Sequence, residues 1–446
     1  MLHRTYLMHV LLAGLAGATS LLLASCEPAT APAPLGGVKV SSTSELAAEQ
    51  APEIVGTGDP AIDIPAVQAA VDKGGYIVLK GRFSFRSPPT VVVPLAGYPL
   101  ATILVSKPVT ITGTRENESE MTTIDGGSIP FFVSALGARV SIQRLRFVRP
   151  VSDAVLAYAV SGLDIVKCRI EGVEPFQHAG DGIGINTSGN TPTPSRPGKP
   201  EKVSGALRVT GNDIDVRGTA TDNTLGIVVF SVGTAGTPVQ LLVSGNTITN
   251  STERAINLYQ VVGEAIVDRN IITTSETAGV ATGIAPDAIH ITGSGLYRVT
   301  RNSVHSRWAK GAGIRVHSQF AAWPIAHAVV ENNDVYMDAP AGTVFGTNSA
   351  GIDIWGNAQE NVVRQNTIRG RARAALAVNV FNGSAPVNNA FINNRLRGFE
   401  ASLADVFVGP GAIGTRIVGR GRVDDHGIGT IIGFRQCPQV LCGAQE

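Results

Sequence analysis

Three ionisable residues, His290, Arg315 and Asp353, stand at the same place in three successive copies of one short phrase. In each copy a small residue and an isoleucine come before the ionisable residue, and an aliphatic residue follows it. Imidazole accepts a proton near neutral pH, guanidinium binds carboxylates, and carboxyl groups exchange protons. Such a set can remove the proton α to a uronate carboxylate while neutralising that carboxylate. His317 and Trp355 stand two positions further along and would join the set.

The phrase alternates aliphatic residues with others, which predicts short strands whose aliphatic side chains face inward. Its copies are Asp181–Asn186, Gly226–Phe230, Ala255–Tyr259, Ala288–Thr292, Gly313–His317, Gly351–Trp355 and Ala375–Asn379. Aligning the copies gives two outward columns. The first is Gly184, Val228, Asn257, His290, Arg315, Asp353, Ala377, and the second is Asn186, Phe230, Tyr259, Thr292, His317, Trp355, Asn379. Arg254 and Asp287 immediately precede two of these strands and are expected to lean over the same surface.

A second phrase, apolar-x-x-Asn-x-apolar, sets the register of these strands. Its Asn residues are Asn212, Asn246, Asn270, Asn302, Asn333, Asn366 and Asn394, separated by steps of 34, 24, 32, 31, 33 and 28 residues. A near-constant period of this length indicates stacked supersecondary units, and parallel strands in neighbouring coils lie about 4.8 Å apart. We expect each Asn to occupy a tight corner in the left-handed region and to donate its amide to the next Asn. Cys168 stands where the earlier coil would have Asn, and we interpret it as a buried packing residue.

With two strand phrases in each repeat and no helix between them, the chain resembles the right-handed parallel β-helix, or pectate-lyase-like, superfamily over roughly residues 60–435. The resemblance implies an all-β, single-stranded solenoid, which we place at residues 56–435. An amphipathic segment from Ile62 to Val71 predicts a short helix that covers its open N-terminal end. The superfamily carries lyases, hydrolases, epimerases and noncatalytic adhesins, so the fold does not choose an activity.

The outward columns predict a polysaccharide site. His290, Arg315, His317 and Asp353 are the candidate catalytic residues, with a histidine as base and Arg315 as the cation. The candidate substrate-binding residues, which would fix sugar hydroxyls or stack on sugar rings, are Arg254, Asn257, Tyr259, Asp287 and Trp355. Trp355 is expected to be exposed, and the long connections Ile271–Ala288 and Asp334–Gly351 are expected to flank the row as walls of a cleft.

Several functions remain open from the sequence. If the protein is an enzyme, a polysaccharide lyase acting by β-elimination is favoured. An inverting glycoside hydrolase using Asp287 and Asp353 is an alternative. Another is a noncatalytic structural or adhesin-like surface protein, and a third is a module that binds a protein through an apolar strip of Val228, Phe230 and Tyr259.

Metal chemistry has little support in the sequence. β-Helix lyases often use calcium held by several acidic residues, but this face offers only Asp287 and Asp353, so we predict no metal and no cofactor. The string from His178 to Ile183 faintly resembles the Gly-Asp-Asp motif of polygalacturonase-type hydrolases. Its second Asp is missing, so we interpret Asp181 as an ordinary strand entry.

The N-terminus predicts export. Residues 1–25 contain His3 and Arg4 and an apolar run, which is typical of a signal peptide. The following Leu-Ala-Ser-Cys26 resembles a bacterial lipobox, which implies acylation of Cys26 and anchoring in the outer membrane or at the cell surface. Residues 26–55 are rich in Pro and Ala and predict an extended tether. In the C-terminal tail, residues 436–446, Cys437 and Cys442 are spaced for a short disulfide, which an exported location permits.

The net charge of the chain limits the classes of binding partner that we expect. The chain has 36 basic and 35 acidic residues, and removing the signal peptide takes away Arg4 and leaves the two balanced. A neutral body argues against a nucleic-acid partner, which would need a basic face. It remains compatible with a polysaccharide recognised by a local cluster. We expect contact with the membrane only through the N-terminal lipid, and we expect a monomer.

Overall fold

The computed structural model describes residues 51–114, 121–219, 221–276, 286–318, 320–340 and 342–433. The predicted signal peptide, the lipid-attachment residue Cys26, most of the tether and the Cys437 and Cys442 pair lie outside these residues. Within them, no helix is long and apolar enough to cross a membrane.

The described chain winds into a parallel β-helix, which confirms the predicted fold class. Nearly all strands belong to one continuous sheet of 34 parallel strands, and each strand pairs with its counterparts one coil before and one coil after. Each complete coil contributes one strand to each of three faces.

The face that carries the alternating phrase is called the site sheet here. Its strands are β3 (Ile103–Val105), β6 (Phe131–Ala135), β9 (Asp153–Val160), β12 (Ala179–Asn186), β15 (Asn223–Val232), β18 (Arg254–Val261), β21 (Asp287–Thr292), β24 (Ala312–Ser318), β28 (Ala350–Gly356), the last part of β31 (Thr367–Asn379), the last part of β33 (Arg395–Val408) and β35 (Val423–Asp425).

The second face contains the strands that lead into the Asn corner. They are β1 (Glu53–Thr57), β2 (Gly75–Ser84), β4 (Val109–Gly113), β7 (Val140–Gln143), β10 (Leu163–Val166), β13 (Gly205–Thr210), β16 (Val239–Ser244), β19 (Gly263–Asp268), β22 (Leu296–Thr300), β26 (Val329–Glu331), β30 (Val362–Arg364), β32 (Ala390–Ile392), β34 (Arg416–Val418) and β36 (Ile431–Gly433).

The third face follows the corner. It contains the end of β2, β5 (Thr123–Asp125), β8 (Arg146–Val148), β11 (Arg169–Glu171), β14 (Asp213–Asp215), β17 (Thr247–Thr249), β20 (Ile271–Thr273), β23 (Ser303–Ser306), β27 (Asp334–Asp338) and the first parts of β31 and β33. A separate two-stranded sheet pairs β25 (Ile325–Ala326) with β29 (Ala358–Gln359), and a 3-10 turn spans Pro200–Lys202.

The predicted helix forms at the N-terminal end as α1 (Pro60–Val71). Asp59 caps it by accepting a hydrogen bond from the Ala61 amide at 2.9 Å, while Val67 and Val71 enter the core. The Gln68 side-chain amide donates to the Leu104 carbonyl and accepts from the Leu104 amide, each at 2.9 Å. The helix thereby satisfies main-chain groups of the edge strand β3, which would otherwise lack partners.

The seven repeated Asn residues form a continuous hydrogen-bonded ladder inside the corner. Each side-chain amide donates to the next Asn carbonyl at 2.9 Å, from Asn212 through to Asn394. Each also donates back to a main-chain carbonyl of an earlier strand, as Asn302 does to Val267 at 3.0 Å. These bonds confirm the predicted structural role. A second, unpredicted pair, Asn361 and Asn389, makes the same contact at 2.9 Å on another corner.

The left-handed backbone lies one residue earlier than predicted. It is Arg269, Arg301, Asn332, Gln365 and Asn393 that have φ between 52° and 57°, whereas the ladder Asn residues that follow them are not in this region. The turn is made by the exposed side of the corner, so the Asn side chain is free to point inward. Cys168 is buried below the ladder as predicted, and its main-chain amide donates to the Asn212 side chain at 2.9 Å.

We expect Asn302→Ala to lower the free energy of unfolding by about 3 kcal/mol, because each buried polar group left without a partner costs about 1–3 kcal/mol. Asn302 accepts from Asn270 and donates to Asn333, so both neighbours lose bonds. The matched control is Asn332→Gly, which changes an exposed Asn that has positive φ, a conformation glycine adopts freely. Thermal and denaturant unfolding of both variants checks this, and equal effects would contradict the ladder's stabilising role.

Candidate functional site

The strand register brings the predicted columns together. His290 pairs with Arg315, and Arg315 pairs with Asp353. The same register places Asn257 beside His290, so four successive coils contribute to one row. The second column is also in register: Tyr259, Thr292, His317 and Trp355 follow one another on neighbouring strands.

This row is buried, whereas the alternating pattern predicted a solvent-facing surface. Arg315 retains 1% of its accessible surface, and Asp353 and Asp287 retain none. Trp355, predicted to be exposed, retains only 9% of its accessible surface. Side chains from outside the site sheet form the cover: Phe381 packs on Trp355, with ring centroids 4.4 Å apart.

A second part of the cover overlies the predicted apolar strip. Phe320 and Trp323, from the segment that follows β24, pack against Val228, Phe230 and Tyr259. Because these three residues are buried by the chain itself, they do not form an exposed surface for a protein partner. These covering residues come after a site-sheet strand in the sequence, whereas the predicted walls come before the strands they were expected to flank. Of those walls, Ile271–Ala288 lies partly outside the described residues, and Asp334–Gly351 contributes the Asn348 carbonyl, which accepts from Arg315 at 3.1 Å.

Arg315 is held between two carboxylates. Its Nη1 lies 3.2 Å from Oδ2 of Asp287, and its Nη2 lies 3.5 Å from Oδ2 of Asp353. Its guanidinium carbon lies 4.4 Å from the centroid of the Trp355 ring. Burial raises the pKa of Asp353 to about 7 and raises that of Asp287, while the Arg315 charge opposes both shifts. Arg315 therefore already has counter-charges on both sides, and it acts as an internal clamp.

His290 and His317 form a buried pair. The His290 Nε2 atom lies 3.2 Å from Nδ1 of His317, and the two rings stack with centroids 5.4 Å apart. Burial holds the pKa of both histidines well below the usual value, and the charges of Arg254 and Arg315 lower it further. Both rings are therefore neutral at pH 7. Nδ1 of His290 and Nε2 of His317 have no hydrogen-bond partner among the described residues, so each can serve a ligand.

A cavity of about 210 Å³ opens beside the Asn257 end of the row. Arg254 and Asn257 line it on the site sheet, Tyr98 lines it from an earlier loop, and Asp181 lines it from a preceding coil. Arg254 is paired through Nη1 with Oε1 of Glu253 at 2.6 Å. Within the described chain, however, its Nε and both amide atoms of Asn257 have no partner. Buried polar groups in native proteins are nearly always bonded, so these atoms point to a ligand.

Two carboxyl groups at this cavity were not predicted as functional. Asp153 pairs with Asp181 on the neighbouring strand, and both are buried. Burial raises the pKa of Asp153 to about 7, and burial together with the Asp153 charge raises the pKa of Asp181 well above its usual value. The pair therefore keeps at least one proton at neutral pH. The available signal was position: each Asp stands at the register position near the start of a site-sheet strand that also holds Arg254 and Asp287, but Asp181 was interpreted as an ordinary strand entry.

The Tyr98 hydroxyl belongs to the same cluster. It accepts a hydrogen bond from Nδ2 of Asn186 at 2.8 Å, and burial beside Asp153 and Asp181 raises its pKa well above the usual value. Tyr98 is far from the repeats in sequence and carries no periodic signal. Only the fold of the loop onto the site sheet brings it to the cavity.

The described residues do not form a set of ligands for a metal ion. No three His, Cys, Asp or Glu side chains are grouped to hold an ion within the part of the chain that the structure describes. Asp287 and Asp353, the two acids that calcium would have needed, are both directed at Arg315.

The chain is similar to two solved structures of polysaccharide enzymes. The A-module of the Azotobacter vinelandii mannuronan C-5 epimerase AlgE6 is 15% identical with a TM-score of 0.40, over 85% of this chain and 97% of that module. A mannuronic acid specific polysaccharide family 6 lyase from human gut microbiota is 14% identical with a TM-score of 0.34, over 87% of this chain and 83% of the lyase. No family model and no curated protein matches the chain. At these values the likeness transfers no residue role, and the site's own geometry carries the argument.

The buried acids make a pH-dependent stability prediction. Asp353 has a folded-state pKa above its unfolded value, so its contribution to stability is present at low pH and is lost as pH rises towards about 7. Asp353→Asn removes that dependence. We expect its melting temperature relative to the unchanged protein to be higher at pH 8 than at pH 5. Asp334→Asn, at an exposed ion pair with Arg369, is the control that should show no such crossover; the same pH trend in both variants would contradict the assignment.

Proposed function

We propose that the protein acts on an anionic polysaccharide by β-elimination, with one uronate unit bound in the cavity. The observation that carries this proposal is the adjacency of two cavity-lining residues, Arg254 and Asn257 with its unpartnered amide, to the neutral His290 pair on the next coil. Guanidinium and amide groups suit a carboxylate and hydroxyls, and a neutral imidazole suits proton removal. A volume of about 210 Å³ is below the usual pocket range of about 300–1,000 Å³, so the cavity fits a single sugar unit and the polymer continues outside it.

In the proposed reaction, His290 takes the proton α to the uronate carboxylate. The C–H electron pair becomes the new carbon–carbon double bond, and the neighbouring bond to the glycosidic oxygen breaks. Arg254 neutralises the carboxylate as negative charge spreads onto it. The protonated Asp153 and Asp181 pair, which touches the same cavity through Asp181, supplies the proton to the departing oxygen.

The remaining predicted residues take positioning roles in this proposal. His317 orients His290 through the 3.2 Å contact between their rings. The charge of Arg315 adds to the burial that keeps the histidines neutral, and Asp287 and Asp353 fix its position. Tyr259 and Trp355, predicted to stack on sugar, are assigned to packing under the cover, since both are buried by aromatic neighbours.

Glycoside hydrolysis is the second candidate, favoured by the protonated carboxyl pair at the cavity. The pair first considered, Asp287 and Asp353, is occupied by Arg315. Asp181 would instead be the general acid, with Asp153 on the adjacent coil as its partner. A noncatalytic adhesin-like protein remains the rival outside enzymology, and anchoring through Cys26 at the outer membrane remains part of our proposal for location.

The first test is turnover of a panel of polyuronates by the full chain, read by the ultraviolet absorbance of unsaturated ends. We expect His290→Gln and Arg254→Met each to lower kcat/KM about a hundredfold or more, as removal of a general base or a charged contact does. His305→Gln and Arg298→Met, on other faces of the solenoid, are the matched controls and should retain activity.

Unchanged melting temperatures confirm that the variants fold, and Arg254→Lys tests whether charge alone restores part of the rate. Binding without any turnover over the whole panel would overturn the enzymatic proposal in favour of a noncatalytic surface protein.

The second test separates elimination from hydrolysis through Asp181→Asn. Elimination predicts unsaturated products from both proteins and a rate about tenfold or more lower in the variant, because the proton donor is lost. Hydrolysis predicts saturated reducing ends from the unchanged protein and none from the variant. Asp213→Asn, an exposed residue of the third face, is the control. Saturated products alone would replace the first proposal with the second.

A further inference from the structure

We infer that the outer side of the Asn corner carries a second binding surface for an anionic polysaccharide, remote from the cavity. Two adjoining surface cavities, of about 360 and 290 Å³, lie there and share Asn332 and Gln365 in their lining. We call them together the arginine groove, defined by Asn332, Gln365, Asn393, Arg369, Arg395 and Arg397. This inference rests on the proposed function only in taking an anionic polysaccharide as the ligand.

The groove's amides are placed by the backbone of the corner. Asn332, Gln365 and Asn393 are the left-handed residues that precede three successive ladder Asn residues, with φ of 57°, 56° and 52°. The ladder Asn beside each of them points inward, so these three amides are presented on the outside, one in each coil. None of the three makes a side-chain hydrogen bond within the described chain, and all three line the larger cavity. Their free donors and acceptors suit sugar hydroxyls.

The groove's charges are only partly compensated. Arg369 is paired with Asp334 at 2.8 Å, and Arg397 stands directly beside it in the register of β31 and β33. Arg395 stands beside Thr367 in the same pair of strands. Arg395 and Arg397 are exposed, and neither forms an ion pair with any residue that the structure describes. The groove therefore has an excess of two positive charges.

This excess contrasts with other arginines on the same two faces. Arg146 is paired with Glu171 at 2.7 Å, Arg301 with Asp268 at 2.8 Å, and Arg364 with Glu331 at 2.6 Å, each across neighbouring coils. The solenoid thus has a regular way of neutralising surface arginines. The last two in the groove are left without a carboxylate, and guanidinium recognises the carboxylate or sulfate of a polymer in the same two-pronged way.

The spacing favours a glycan over other polyanions. Equivalent side chains recur about every 4.8 Å along the solenoid axis, roughly the length of one sugar ring in an extended chain. A polysaccharide lying along the axis would thus meet one amide per coil. Single-stranded nucleic acid binds through aromatic side chains that stack on its bases, and no aromatic side chain is among the described residues that line the two cavities.

The test is binding of the full chain to polygalacturonate, measured by affinity electrophoresis, with an uncharged dextran as the neutral probe. Arg395→Gln together with Arg397→Gln should weaken polygalacturonate binding about tenfold, a loss of about 1.4 kcal/mol, because two solvent-exposed charged contacts are removed. The matched control is Arg144→Gln together with Lys167→Gln. It removes the same charge from two left-handed corner positions near the other end of the solenoid, and it should leave binding unchanged.

Three outcomes would overturn the inference: full affinity in the groove variant, equal weakening in the control variant, or equally tight binding of single-stranded DNA of matched charge. The inference can fail independently of the proposed function. His290→Gln should lower kcat/KM about a hundredfold or more while keeping polygalacturonate affinity, and the groove variant should keep turnover of short oligosaccharides. If no substrate is turned over, the comparison of the two double variants still decides whether the arginine groove binds polygalacturonate.

Discussion

The hydrogen bonding of buried Asn amides sets the geometry of this protein. An amide side chain inside the corner can be satisfied only by groups at a fixed distance, and the next coil supplies them at 2.9 Å. Because each bond requires the next Asn to be at the same point of its own coil, connections as different as 24 and 34 residues are forced into one register. Residues far apart in sequence therefore become neighbours on the site sheet. The ladder performs no chemistry, but the alignment of the row depends on it.

The same register creates an electrostatic problem that the site solves internally. Stacked strands place Asp287, Arg315 and Asp353 within reach of one another, and the cover removes them from water. Burying a charge without a partner costs several kcal/mol, while a pair with good geometry offsets much of that cost. Arg315 between two carboxylates is such an arrangement, and its charge adds to the burial that keeps the adjacent histidines neutral. Within the described chain, atoms without a hydrogen-bond partner remain along the whole row, among them Nδ1 of His290, Nε of Arg315 and the amide of Asn257. At the Asn257 end these atoms and Nε of Arg254 adjoin a cavity, so that end is the place where a ligand can complete the network.

The sequence predicted what is periodic and missed what is not. The coil register, the buried Cys168 and the identity of the two columns follow from the repeated phrases, and the capping helix follows from the amphipathic segment at Ile62 to Val71. The structure has each of them. The burial of the row could not be predicted, because Phe320, Trp323 and Phe381 belong to loops that occur once. Tyr98 was missed for the same reason. The left-handed position was predicted one residue too late because an Asn at a corner can serve either to adopt positive φ or to donate its amide inward. In the structure these two roles belong to neighbouring residues. Asp153 and Asp181 could have been predicted from the sequence, since they occupy the strand-entry position that also holds Arg254 and Asp287.

The distribution of compensated and uncompensated charge separates the two surfaces. On the site sheet, Glu253 neutralises one side of Arg254, so a uronate bound there as proposed would compete with an internal carboxylate and gain mainly through atoms that have no partner in the described chain. In the arginine groove, Arg395 and Arg397 face solvent, where screening weakens each contact but no internal partner has to be displaced. The first arrangement favours selection of one sugar unit with defined orientation. The second favours weak, repeated contact along a polymer. A solenoid allows both because its faces share a register while their side chains vary independently from coil to coil.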